Sequence, residues 1–205
     1  STILTVFILV TILSYVIYQG IGHINWSFLT DRPRSMGAEG GIFPVIIGTI
    51  YFIFLTILIS APLGIGAAIY LNEYTRESYW VKIIRFGTEL LAGVPSIILG
   101  LFGYTFFVVL LGEYTKGWSL ISGALTATCM ILPTITRTSE EALKTVPRAY
   151  REASLSLGAN QWQTIYKVVL PTALPGIITG IILGIGRAIG ETAALLLTLG
   201  GSLLM

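Results

Sequence analysis

Five stretches of this chain are apolar for about as long as a helix needs to cross a hydrocarbon core of roughly 30 Å. They run from Thr2 to Tyr18, Pro44 to Leu71, Leu90 to Leu111, Trp118 to Ile135 and Leu174 to Leu197. Each carries glycine or proline, which helices in lipid tolerate because neighbouring groups re-satisfy the freed backbone. Charged residues make up 11% of the chain, against about 25% in an ordinary soluble domain, so too little polar surface exists to wrap a water-soluble body around these runs. A multi-pass, all-helical membrane protein is the expectation. The first stretch lacks the basic start and small-residue cleavage site of a secretory signal and reads as a span.

Lys and Arg between the spans set the direction. Arg76, Lys82 and Arg85 lie after the second span, and Arg137, Lys144, Arg148, Arg151 and Lys167 after the fourth. Arg32, Arg34 and Lys116 are the only basic residues in the first and third loops. The even-numbered loops are therefore expected in the cytoplasm, with the N-terminus inside. A net charge of +2 excludes a strong field for polyanions. Cys129 has no partner cysteine and His23 no second ligand at metal spacing, so the first reads as a buried filler and the second as a surface residue. After the second span, Trp80, Ile83, Ile84 and Gly87 alternate with charges, as in a helix lying along the inner interface.

The most polar helix-like passage, "REASLSLGANQWQTIYKVVLP" (Arg151 to Pro171), falls in the fourth loop. Pro147 suits a first helical turn, and Val146, Tyr150, Ala153 and Leu157 share one face. Gly158 would end that helix in a left-handed cap. Asn160 with Gln163 three residues on is a capping-box variant that restarts it. Trp162, Ile165, Tyr166 and Val169 form a second apolar face, and Pro171 is expected to stop the run. Such an exposed pair of apolar faces wants a partner. A DNA-reading helix-turn-helix shares the outline, but its second helix would offer only Lys167. An amphipathic linker resting on the membrane is the bland reading, and a docking element that fits a groove in a cytoplasmic partner is the favoured one.

The loop resembles the E-A-A-x3-G-x9-I-x-L-P signature of ABC-importer permeases, present as Glu152, Ala153, Ser154, Gly158, Val168, Leu170 and Pro171. Ser154 replaces the third-position alanine and Val168 the isoleucine. The resemblance implies that Glu152 to Gly158 insert into a groove of an ATP-hydrolysing subunit. No G-x-x-x-x-G-K-[ST] loop occurs in the sequence, so nucleotide phosphates are not cradled by that device here.

In the fifth span, Gly176, Gly180 and Gly184 recur at the spacing that lets membrane helices approach closely. Arg187 and Glu191 stand deeper in the same apolar run, at i and i+4 of an expected continuous helix and so on one face. An arginine at a helix centre costs about 2.5–3.5 kcal/mol on insertion scales. Two readings stay open at this point. One is a self-neutralising structural ion pair. The other is a polar path in which Arg187 attracts an anion with its planar donor fork, while Glu191 orients the guanidinium and prevents a permanent trap. Several carboxylates or carbonyls would be expected for a cation. Pro95 in "AGVPSIILG" either opens a lining or shapes packing.

"LAGVPSIILGLFGY", the loop passage and "GRAIGETAALLL" together resemble phosphate importer permeases of the PstA type, over roughly Pro44 to Met205. The resemblance implies the MetI-like transmembrane helix bundle of ABC importers, with five spans here and a sixth, usual in the family, beyond the C-terminal end. Residues 1–43 would form the first span and external loop, and 44–205 the permease core with a coupling loop at 140–173. It further implies that Arg187, Glu191 and, more weakly, Ser96 line the path for inorganic phosphate. A second permease subunit, two copies of a cytoplasmic ATPase that binds ATP and magnesium, and an extracytoplasmic phosphate-binding protein would complete the assembly in a bacterial-type cell membrane. No cofactor, metal, nucleic acid or enzymatic step is implied for this chain itself. The alternatives are a permease for another oxyanion such as molybdate or sulfate, or a non-transport membrane protein: an intramembrane enzyme using Glu191, or a tethered regulator.

Overall fold

Long apolar runs with few breakers give long helices, and the computed structural model is mainly helical. It describes residues 2–34, 39–75 and 78–200, with only the backbone of residues 2, 3, 23, 34 and 39. Arg76 and the side chains of His23 and Arg34 lie outside the described residues. The chain divides into two compact units, one running to Thr49 and the other Ile50–Ser202.

The first unit holds α1 (Thr2–Gly20), a 3-10 turn at Ile21–His23 and α2 (Trp26–Thr30). A two-residue antiparallel pairing follows, β1 (Pro33–Arg34) with β2 (Glu39–Gly40), in register Pro33↔Gly40. The described side chains of α1, Leu4–Gly20, form an apolar helix.

α3 (Phe43–Ile69) supplies the second unit from Ile50 onward and ends in a wide π turn, Tyr70–Tyr74. After it come α4 (Tyr79–Gly93), α5 (Ser96–Gly103) with its π extension Tyr104–Leu110, and the short α6 (Gly112–Thr115). α7 (Leu120–Thr145) is followed by α8 (Arg148–Ser156), α9 (Gln161–Thr164), a π turn at Ile165–Val169, α10 (Leu170–Gly190) and α11 (Ala193–Thr198).

Among the described residues, three helical runs are long and apolar enough to cross a membrane, Phe43–Tyr74, Leu120–Thr145 and Gln161–Gly190, and a fourth if the bent pair Tyr79–Gly93 and Ser96–Leu110 counts as one. The expected third span is not one straight helix. α4 and the α5 run meet at a 100° bend, because Pro95 disfavours helix at Val94, which takes extended backbone (ψ 131°). Leu90 to Gly93 therefore belong to the preceding amphipathic helix. The fourth span outlasts its expected end at Ile135 and carries Arg137, Glu140, Glu141 and Lys144 on its last turns. Ser119 starts it by accepting from Ser122 N at 3.2 Å.

Two further expectations are corrected. Pro171 does not stop its helix, since Gln161–Gly190 runs on as one long element. The π turn directly before it changes the hydrogen-bond ladder where the proline ring would otherwise collide with the preceding turn. The fifth span does break, at Glu191, whose backbone is extended (φ −86°, ψ 116°).

α7 is the hub and the most buried of the three long helices. The glycine stripe of α10 lies on it as its spacing predicts: a Cβ at Gly176 would meet Ala142, one at Gly180 would strike Thr138, and one at Gly184 would reach Ile135 at 3.2 Å. Gly64 of α3 approaches Ile135 from another side. Around this seam, Ala68, Leu143, Val146, Val169, Ala173 and Ile177 form one buried cluster, and Phe52, Ala127, Ile131, Ile135 and Ala188 another. α11 returns against α5, where Leu99, Met130 and Ala194 pack together.

Candidate functional site

The α8–α9 pair folds as its local chemistry dictates. Pro147 stands just before α8 as its N-cap rather than inside the first turn. Gly158 takes φ +84°, its N–H donates to Leu155 O at 3.0 Å, and Ala159 N–H donates to Ser154 O at 3.3 Å. These are the two bonds of a Schellman ending. Asn160 Oδ1 accepts from Gln163 N at 2.8 Å, and Gln163 Oε1 accepts from Asn160 N at 3.0 Å, so the capping box is complete. Ser154, the departure from the signature alanine, shares a 2.9 Å hydroxyl contact with Thr164 that ties α8 to α9.

Between the two helices lies a concavity of about 580 Å³, lined by Tyr150, Ala153, Ser154, Leu157, Gly158 and Val168 among others. Leu157 is 90% exposed and Tyr150 51%. Val146, grouped with them by periodicity, is instead buried at 3%, because it closes the end of α7 and joins the core. The remaining face is apolar, rigidly framed and uncovered, which is the chemistry of a docking surface.

A second feature was only partly visible in the sequence. Glu140 on α7, nearly buried, sits 2.6 Å from Arg85 Nη2 of α4 and 2.7 Å from Lys144 Nζ one turn on. Oε1 of Glu140 makes these contacts without hydrogen-bond alignment, and Arg85 Nε has no hydrogen-bond partner. Arg137 lies 3.3 Å from Glu141 and 3.8 Å from Glu89, both exposed and weak. These groups line a cavity of about 350 Å³ together with Thr134, Thr138 and the apolar Leu71, Ala92 and Pro133. The i,i+4 pairs on α7 are a sequence signal, but Arg85 is too far along the chain for spacing to reveal.

Thr134 also connects this cavity to the predicted anion group. Arg187 Nη1 donates to Thr134 Oγ1 at 3.4 Å, a long bond. A guanidinium carries five N–H donors, and among the described residues the others of Arg187 have no protein acceptor. Glu191 is not its partner. The helix break turns Glu191 toward α11, where its carboxylate accepts from Ala194 N at 3.3 Å, a favourable place for negative charge. The expected one-face pairing is thus replaced by a half-buried arginine with open donors. Ser96 is half-buried at the start of α5, with no hydrogen bond or ion pair to Arg187 or Glu191 among the described residues. No group of three or more potential metal ligands occurs among them either.

Comparison with known proteins gives a consistent pattern. The family described as "Binding-protein-dependent transport system inner membrane component" matches residues 60–205. A probable ABC transporter permease protein of Bacillus subtilis (strain 168), YqgI, is 41% identical over 94% of this chain and 65% of its own length. The phosphate transport system permease protein PstA of Haemophilus influenzae is 36% identical over 97% of this chain and 69% of its own. PstA of Xylella fastidiosa (strain 9a5c) is 38% identical, over 89% and 62%. The chain thus spans about two thirds of the length of these relatives. Among solved structures, the inward-facing MetNI methionine ABC transporter superposes with a TM-score of 0.59 at 24% identity, covering 75% of this chain and 70% of that one, a likeness of fold.

Proposed function

Since the chain belongs to the binding-protein-dependent transport system inner membrane components, we propose that it is a permease subunit of an ATP-driven importer of inorganic phosphate in the inner membrane. The observation that carries this reading is the α8–α9 pair: a capped, glycine-turned docking surface with no nucleotide loop elsewhere in the sequence. Glu152, Ala153, Ser154 and Gly158 belong to the coupling contact, and two copies of a partner ATPase supply the ATP and magnesium chemistry. Phosphate is favoured over molybdate or sulfate by the likeness to phosphate permeases over nearly the whole chain. A second permease subunit and an extracytoplasmic phosphate-binding protein complete the assembly, with the N-terminus of this chain in the cytoplasm.

Arg187 is the group that receives the anion. Its open N–H donors match oxyanion geometry, and a fixed charge in a low-dielectric setting acts strongly over a few ångströms. Glu191, held at the start of α11, contributes negative charge that favours release, and Ser96 offers a hydroxyl at the bend between α4 and α5. The cavity beyond Thr134, with Arg85, Arg137 and Lys144 on its wall, gives the anion a way toward the cytoplasmic ends of α4 and α7.

The test is ATP-dependent uptake of radiolabelled phosphate into liposomes holding the assembled complex, with molybdate and sulfate as competitors. Arg187→Gln is expected to abolish uptake while the complex still assembles. Full uptake by that variant removes Arg187 from the path, and preferential uptake of another oxyanion replaces the substrate.

A further inference from the structure

The end of α3 is gripped by both helices of the coupling loop. Arg151 of α8 makes a two-point contact with Glu73: Nη2 lies 2.7 Å from Oε1 and Nε donates to Oε2 at 3.2 Å. Gln161, the first residue of α9, donates from Nε2 to the backbone carbonyl of the same Glu73 at 2.8 Å. Asn72 adds a 2.7 Å bond to Oε1. The guanidinium also donates to Leu143 O at 3.0 Å and Val146 O at 2.7 Å, closing the last carbonyls of α7. The side chains of Arg151 and Glu73 are only 20% and 9% exposed.

We propose that Glu73 and Arg151 are positioning residues for transport, forming the joint through which displacement of the coupling helix reaches the second span. The inference rests on the coupling role assigned above to Glu152–Gly158. Arg151 directly precedes Glu152, so any push on that segment is applied at the residue that holds α3. A bidentate contact resists rotation where a single bond would act as a hinge, and Gln161 holds the same point from beyond the Gly158 turn. α8 and α9 therefore move the end of α3 as one body. The π turn at Tyr70–Tyr74 ends in this grip, and such turns are frequent at functional sites.

The carbonyl bonds of Arg151 to α7 are a structural cap, and the contact with Glu73 is the joint. Glu73→Gln isolates the second, because it removes the carboxylate charge and one acceptor oxygen while leaving the cap intact. The experiment compares the unmodified complex with Glu73→Gln, Arg151→Gln and the double variant, reconstituted with the ATPase and the extracytoplasmic binding protein. Three quantities are measured: co-purification of the ATPase, the stimulation of ATP hydrolysis by loaded binding protein, and uptake per ATP. The expected result is retained co-purification with stimulation reduced about tenfold, within the usual range of coupling between sites. The double variant is expected to be no worse than the poorer single, as for residues acting as a unit. Unchanged stimulation in Glu73→Gln overturns the proposal, even if Arg151→Gln fails to assemble. Effects that multiply in the double variant overturn it too. An unmodified complex that shows stimulation but imports no phosphate refutes the substrate reading alone, and stimulation still judges the joint.

Discussion

Gly180→Ala tests the seam between α7 and α10 at its tightest point. A Cβ at position 180 would strike Thr138 Oγ1 and lie 3.0 Å from Thr138 Cβ. Thr138 is not free to rotate away without loss, since its hydroxyl donates to Thr134 O at 2.7 Å and also contacts Ile135 O at 3.3 Å. Overpacking of this kind costs about 1–3 kcal/mol, and a lost hydroxyl bond about 1 kcal/mol. Together, about 2–4 kcal/mol in a chain of this size corresponds to a fall in Tm of roughly 4–16 °C. Thr138→Ala removes the colliding oxygen but leaves Cβ, so it relieves most of the clash and not all. In the detergent-solubilised complex, followed by thermal unfolding, Gly180→Ala should therefore lose less in the Thr138→Ala background than in the native one, by about 1 kcal/mol. An unchanged Tm for Gly180→Ala, or losses that simply add in the double variant, would refute the close seam.

Two other outcomes are expected at the coupling surface. Gly158→Val places a β-branched residue at φ +84°, costing about 1–2 kcal/mol or more of local strain. Permease should still accumulate in the membrane while pull-down of the ATPase is weakened severalfold, and normal recovery would show that the turn does not set the docking geometry. Leu157→Asp puts a charge on the most exposed apolar residue of the concavity. It should abolish ATPase co-purification and ATP-dependent uptake without lowering the Tm of the isolated permease, because Leu157 supports nothing in the fold; a matching loss of Tm would contradict this.

Local chemistry was the most legible part of the chain. Gly158, Asn160 and Gln163 act through their own backbone neighbours, so the two helices and the turn between them could be read directly. The glycine stripe of α10 was legible for a related reason, since close approach needs small residues at fixed spacing. Hydropathy, by contrast, carries no direction. It runs unbroken through Pro95 and Glu191, where the backbone turns, and so joined what the fold separates. The supposed Arg187–Glu191 face failed for that reason, and the Thr134 contact that replaces it links residues 53 positions apart. The grip on Glu73 spans 78 positions, a distance at which one sequence offers no pattern. Pro171 continues its helix because a π turn ending two residues earlier, invisible to helix periodicity, absorbs it.

The character of α7 bears on how the protein is made. It is at once the most enclosed and the least apolar of the three long helices, carrying buried Thr126, Thr128, Thr136, Ser139 and Glu140. A segment leaving the ribosome meets lipid before it meets its final neighbours, and each polar group it brings raises the cost of partitioning. α3 is synthesised first and α10 last, so α7 must wait in the bilayer for the glycine stripe that will cover it. Until then two of its hydroxyls are satisfied within the helix, where Thr126 and Thr128 donate to Ser122 O and Ala124 O. A chain halted before α10 is therefore expected to leave the face of α7 that meets Gly176, Gly180 and Gly184 uncovered, whatever the ease with which each helix inserts.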